Sequence, residues 1–240
     1  MKIEIMGVAF DNITMDEAVA MGRELLERPE RGAYCVTPNS EIVYEAMHDE
    51  QLRQILNDAS IVLPDGAGVV LGAKILKTPL KQKVAGIDFA DRMLGVLAET
   101  GRTVYLLGGK PGIGELAAQK MQEKHPGLQI VGITDGYFQE DAPVLEHINS
   151  VHPDMLFVCL GSPKQEIFMS THQKELNVGL MAGLGGSLDG FAGTVKRAPK
   201  WMISLQLEWL YRLIKEPWRF KRMLRLPKFL WATVKKRMKG

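Results

Sequence analysis

The sequence predicts an α/β fold: a Rossmann-like, mostly parallel sheet with helices on both faces, followed by a C-terminal helical appendage. Three observations carry this. Short β-branched runs alternate with amphipathic stretches through residues 1–195, as parallel strands joined by helical crossovers do. The segments after those runs are rich in Gly, Pro, Asn and Asp, the residues of turns and helix caps. From Pro199 onward the alternation stops and helical spacing takes over. The division that follows is an α/β core over residues 1–195 and a basic, Trp-rich helical appendage over 196–240.

Each element can be justified in turn. An opening strand is expected near residues 3–8. Thr14-Met15-Asp16-Glu17 is a capping box, and Ala18, Val19, Leu25 and Leu26 continue it at helical spacing. The strand-then-helix phrase returns at 33–36 before a helix opening near Asn39, at 61–63 before 67–76, and at 103–107 before 113–124. It continues at 130–133 before 144–150, at 155–160 before 164–171, and at 178–182 before a weaker segment. The tail reads as two helical stretches, 201–215 and 218–238, separated near Pro217, with Pro227 expected to kink or break the second.

Composition bounds the setting. The chain has 240 residues, 46% of them apolar, and a net charge of +2. That total hides a strong asymmetry: residues 196–240 carry fourteen Lys and Arg against Glu208 and Glu216, a net of +12, which leaves −10 for the rest. All four tryptophans, Trp201, Trp209, Trp218 and Trp231, lie in the same tail. Indole rings and cations together suit the boundary between lipid headgroups and acyl chains. An ordinary helical subdomain with basic solvent faces is the competing reading. Aromatic and aliphatic residues alternating with cations fit a lipid interface better than a groove that tracks nucleic-acid phosphates. No stretch reaches the length of a spanning helix, so membrane contact would be peripheral. The N-terminus lacks a secretory h-region, and Cys35 and Cys159 sit in apolar runs that read as buried strands. A cytoplasmic protein on the inner face of the cell membrane is expected.

In open parallel sheets, ligands bind beyond the carboxyl ends of the strands. The residues there read Thr37-Pro38-Asn39-Ser40-Glu41, Pro64-Asp65-Gly66, Gly108-Gly109-Lys110-Pro111-Gly112, Gly161-Ser162-Pro163-Lys164-Gln165-Glu166 and Gly183-Leu184-Gly185-Gly186. Asp65 is the candidate general base; the alternative is that it caps the helix starting near Ala67 or satisfies turn amides. Thr37 and Asn39 could orient a sugar, or Asn39 could simply be a helix cap. Gln165 and Glu166 fall in a first helical turn, where an amide could hold hydroxyls or simply be solvated. The Gly108 and Gly109 loop opens a helix, whose N-terminus attracts phosphate, although dinucleotide spacing is absent. The five histidines form no ligand-spaced cluster and no Asp-x-Asp occurs, so no metal is expected. Charge on a diphosphate leaving group would then need Arg, and the tail supplies Arg212, Arg219 and Arg222. A solvated basic face or lipid contact is their other reading.

These motifs, with Val84-Ala85-Gly86-Ile87-Asp88, Gly136-Tyr137-Phe138, Arg197-Ala198-Pro199 and Glu208-Trp209-Leu210-Tyr211-Arg212 followed by Glu216-Pro217, Arg219 and Arg222, resemble the WecG/TagA/CpsF glycosyltransferases in order along the chain. The resemblance implies an inverting, metal-independent enzyme without cofactor. Its substrates would be a UDP-sugar donor and a GlcNAc acceptor on undecaprenyl diphosphate, its partner an anionic membrane surface, its product a wall teichoic acid or related surface polymer. It further implies N-acetylmannosamine transfer to the acceptor's C4 hydroxyl, with Asp65 as base and Thr37, Asn39 and Gln165 about the sugars. Arg212, Arg219 and Arg222 would come from an appendage that closes over the crevice and neutralises the diphosphate. Another UDP-sugar such as UDP-ManNAcA, or a UDP-sugar-binding membrane adaptor without turnover, are the alternatives. An apolar patch left by removing the tail could self-associate, tying a homo-oligomer to the tail.

Overall fold

The computed structural model describes residues 1–195, 198, 199, 201, 202, 208–215, 220 and 224–239. Six strands form a wholly parallel sheet: β3 (Ala33–Val36), β4 (Ile61–Val62), β5 (Thr103–Gly108), β6 (Gln129–Thr134), β7 (Met155–Cys159) and β8 (Leu180–Gly183). Their spatial order is β4-β3-β8-β7-β5-β6. All five residues of β7 are buried, the unbroken apolar run expected of a strand covered on both faces. One core layer gathers side chains of α2 (Ser40–Ala46), α3 (Glu50–Asp58), α4 (Ala67–Ile75), α7 (Asp141–Val151) and α8 (Lys164–His172). The opposite layer uses α1 (Met15–Glu27), α5 (Gly86–Thr100), α6 (Ile113–Lys124) and α9 (Ser187–Ala192).

The opening segment departs from the expected single strand. It is a hairpin of β1 (Lys2–Ile5) and β2 (Val8–Asp11), with Ile5 opposite Val8. Met6 and Gly7 both have positive φ, 53° and 90°, as a two-residue type I′ turn requires. Methionine is an unusual occupant of such a position, which is why the turn was invisible in the sequence. The hairpin is tied to the sheet edge by Asp11, whose carboxylate accepts the Val62 N–H at 2.8 Å. The capping box of α1 is present: Glu17 N–H donates to Thr14 Oγ1 and Thr14 N–H to Glu17 Oε2.

In the tail, α10 spans Glu208–Lys215 and α11 spans Arg225–Lys239. The stretch 218–238 is not one helix: Leu224 lies in a turn and α11 begins at Arg225, so Pro227 falls in the first turn of the new helix, where its missing N–H has no intrahelical partner to lose. Residues 218, 219 and 221–223 lie outside the described residues, as do 203–207, 216 and 217. α11 docks on the body through a glycine stripe. Gly68 and Gly72, four apart on α4, would carry Cβ atoms 2.7 Å from Leu226 Cδ1 and 2.9 Å from the Phe229 ring, so a larger residue at either position would force α11 side chains to shift. Phe229 is fully buried, worth about 2–3 kcal/mol of apolar transfer. Arg225 Nη1 meets Glu45 Oε2 at 2.7 Å and Lys236 meets Glu4 at 3.0 Å, exposed enough that each adds little. Phe229→Ala is expected to lower stability by about 3 kcal/mol in urea unfolding, whereas Trp231→Ala, at a residue 67% exposed, should change it by less than about 0.5 kcal/mol.

Candidate active site

The chain leaves β5 for α6 on one face of the sheet and leaves the adjacent β7 for α8 on the other. A crevice therefore opens at the carboxyl ends of the strands. At this switch the backbones nearly touch: Gly109 N–H donates to the Cys159 carbonyl at 3.3 Å. A Cβ on Gly108, whose φ is 122°, would lie 2.3 Å from the same oxygen. Gly109 in turn accepts from Gly136 N–H at 2.9 Å. Gly112 caps α6 with φ 83° and supplies no side-chain hydrogen bond, so the first-turn amides of a twelve-residue helix face this end of the crevice.

The carboxylate end lies across β8, β3 and β4. Asp65 follows β4 and does not cap α4, because Gly66 holds that position. Its Oδ2 instead accepts the Gly86 N–H at 3.2 Å, at the first residue of α5, where the helix dipole favours an anion. The same two loops are joined by Val84 N–H to the Pro64 carbonyl at 3.0 Å. Gly86 also lacks room for a side chain, since a Cβ would come within 2.9 Å of Thr37 Cγ2. Thr37 is buried and donates its hydroxyl to the Gly183 carbonyl at 2.8 Å. Asn39 caps α2, accepting from Glu41 and Ile42 N–H at 2.9 and 3.1 Å, and lies beside Gly66.

Gln165 completes this wall from below. It is buried, its Oε1 accepts the Gly185 N–H at 2.8 Å, and its Nε2 donates to Glu166 Oε1 at 2.9 Å. Glu166 is not on a solvated first turn: it is 1% exposed. Its Oε2 and the Ser162 hydroxyl are both buried, and among the described residues neither has a partner at full hydrogen-bond geometry, although the Ser162 hydroxyl lies close enough to favour the Glu166 anion. Burial holds the Glu166 carboxyl above its ordinary range, opposed by the Gln165 amide, while the nearby Glu45 carboxylate pushes the same way as burial. Glu166 thereby fixes which way the Gln165 amide points, and Gln165 holds the loop after β8.

Strand order puts Asp65 and the Gly108–Gly109 turn at opposite ends of one crevice, four strand spacings or about 19 Å apart. An extended ligand is needed to span it. A model of the "Glycosyl transferase WecG/TagA/CpsF family" matches residues 3–240. The chain belongs to this glycosyltransferase family. A Bacillus subtilis (strain 168) relative is 40% identical over 85% of this chain and 80% of its own length. A Staphylococcus aureus (strain MRSA252) relative is 35% identical over 99% and 94%. Both are N-acetylglucosaminyldiphosphoundecaprenol N-acetyl-beta-D-mannosaminyltransferases.

Within this family member, the structure brings Asp65, Thr37, Asn39 and Gln165 to neighbouring strand ends and puts Gly108 and Gly109 at the far end. Arg219 and Arg222 lie outside the described residues; the backbone of Arg212 is in α10, and its side chain also lies outside them. Among the described residues, no group of three or more His, Cys, Asp or Glu could hold a metal ion. His147 meets the Tyr105 hydroxyl at 2.8 Å, and His125 and His172 lie against Asp91 and Asp141. The backbone partners Gly183 and Gly185 belong to the Gly-x-Gly-Gly run read after a strand, and Gly86 to the Val84–Asp88 motif, but their bonding to Thr37, Gln165 and Asp65 was not legible in the sequence. Cys35 and Cys159 are free and buried, and burial pushes the Cys159 thiol up to about 12, far from a reactive thiolate.

Two outcomes follow. Gly108→Ala should cost at least about 2 kcal/mol in urea unfolding, from its positive φ and the Cys159 carbonyl. Glu166 keeps its proton to higher pH folded than unfolded. Its contribution is thus present in full below the ordinary carboxylate range and is lost as pH rises through the raised value. Glu166→Gln, which keeps an acceptor for Gln165, should gain thermal midpoint relative to the parent as pH goes from about 5 to about 8, measured by differential scanning fluorimetry.

Proposed function

We propose that this chain is an inverting, metal-independent glycosyltransferase that moves N-acetylmannosamine from UDP-ManNAc to the C4 hydroxyl of GlcNAc-diphospho-undecaprenol, in assembly of wall teichoic acid or a related surface polymer. The observation that carries it is the placement of Asp65 in a family crevice whose relatives, 34–40% identical, bear one transferase name. Asp65 takes the proton as the acceptor oxygen bonds to the donor's anomeric carbon. The bond to the UDP oxygen breaks on the opposite side, and UDP leaves as an anion. The Gly86 amide at the start of α5 orients the Asp65 carboxylate toward that proton.

Thr37, Asn39 and Gln165 shape the sugar pocket, and Gly108 and Gly109 leave room for backbone to approach the diphosphate. Arg212, Arg219 and Arg222 offset its growing charge, as Arg does where no cation is bound. The tail, residues 196–240, acts as an appendage to the α/β core and engages an anionic membrane surface peripherally on its cytoplasmic side. This agrees with its +12 charge and with the finding that no helix among the described residues is long and apolar enough to cross a membrane.

UDP release from UDP-ManNAc in EDTA, with a GlcNAc-diphosphate-lipid acceptor, tests the reading. Acceptor-dependent release should persist in chelator and fall by about 10²–10⁴ in Asp65→Asn, with the variant still folded by circular dichroism. Release that requires a divalent cation, or that Asp65→Asn leaves intact, would overturn it. Silence across a panel of UDP-sugars would instead indicate a binding protein without turnover.

A further inference from the structure

We propose that the apolar groove between α4 and the C-terminal helices holds the first isoprene units of the lipid-linked acceptor. This rests on the acceptor assigned above and adds a site for its chain. The groove has a volume of about 290 Å³. Its floor is one stripe of α4, Ala67, Val70, Leu71 and Lys74, at i, i+3, i+4 and i+7, and its far wall is Trp209, Leu226 and Leu230. Seven residues of helix make it about 10 Å long.

Three features select this occupant. The groove begins at Ala67, two residues after Asp65 on the element that follows the candidate base, so the acceptor's sugar and diphosphate would lie between Asp65 and a chain held along α4. Among the described residues its lining is aliphatic and indole with one cation, Lys74, which suits a branched hydrocarbon better than a sugar or a nucleotide. A second cavity, about 440 Å³ by Arg31, Gly32 and residues 173–177, is polar-rimmed and precedes β3 and β8. It lies at the wrong end of the sheet for anything bound at Asp65.

The groove is also open. Leu71 is 46% exposed and Trp209 38%, an arrangement that leaves apolar surface in water until something covers it. Leu226, by contrast, is pinned against Gly68, and Phe229 behind it fills the space over Gly72. One side of the groove is therefore rigid, and its mouth, at Leu71 and Trp209, is where a flexible chain would enter.

Transfer by the full-length enzyme should be compared for GlcNAc-diphosphate acceptors carrying a long polyprenyl chain and carrying only a methyl group. The parent's kcat/KM should favour the long chain. Leu71→Gln should shrink that preference about tenfold, and Leu71→Met should restore it. Equal losses on both acceptors, or an unchanged ratio, would overturn the groove. Geranylgeranyl diphosphate alone, without sugar or UDP, separates this from the transferase reading. With the other three tryptophans replaced by Phe, Trp209 emission should shift saturably on its addition, and less in Leu71→Gln, whether or not transfer is observed. No shift, or a shift that follows protein concentration and so reports a second copy of the chain, would overturn it.

Discussion

Three side chains hold the floor of the crevice by binding backbone that belongs to a neighbouring loop. Asp65 holds Gly86 N–H, Thr37 holds the Gly183 carbonyl, and Gln165 holds Gly185 N–H. Two of these bonds join the ends of β3, β7 and β8, and the third ties the end of β4 to the start of α5, against which Thr37 packs. Each is worth only about 1 kcal/mol net, but losing one partner of a buried pair leaves the other unsatisfied and costs more. The glycines are required because side chains fill the space where their Cβ atoms would be: Thr37 lies over Gly86, and Met169 and Gln165 over Gly183. The geometry about the candidate base is thus a property of loops locked to each other, on strands whose own ladders are rigid.

Glu166 extends that wall into the core. A buried carboxyl with one oxygen short of a full hydrogen bond among the described residues is costly to keep, and its position beside Gln165 gives the cost a structural use. It sets the orientation of an amide that could otherwise flip. Through Glu45, which faces both the Glu166 carboxyl and Arg225, the wall also has an electrostatic neighbour in α11. The tail helix is consequently more than a charged surface: it buries Phe229, contributes Leu226 and Leu230 to the groove, and places an arginine beside a carboxylate of the body.

Much of the fold was legible because alternation of apolar runs with helical spacing follows from burial on two faces of a parallel sheet. Thr14 and Glu17 form the cap their spacing implies, and Asn39 caps α2. What was not legible had local chemistry that misled. Met6 occupies a positive-φ position that statistics assign to Asn or Gly, so the hairpin at the N-terminus read as one strand. Gln165 and Glu166 read as a polar first turn, since nothing in a Lys-Gln-Glu run marks two of its members as buried.

The residues at the strand ends, and their membership of a glycosyltransferase family, were present in the linear order of the motifs. Motifs report local chemistry, and although each of these alone says little, their joint order is specific. The spatial order β4-β3-β8-β7-β5-β6, the separation of Asp65 from the Gly108 turn, the partner of the Asp65 carboxylate and the burial of Glu166 were not. Each depends on which strands lie side by side, and on how closely Gly68 and Gly72 let a helix from the far end of the chain approach. Those contacts join residues up to 232 positions apart, as between Glu4 and Lys236, and no local pattern encodes a distance of that kind.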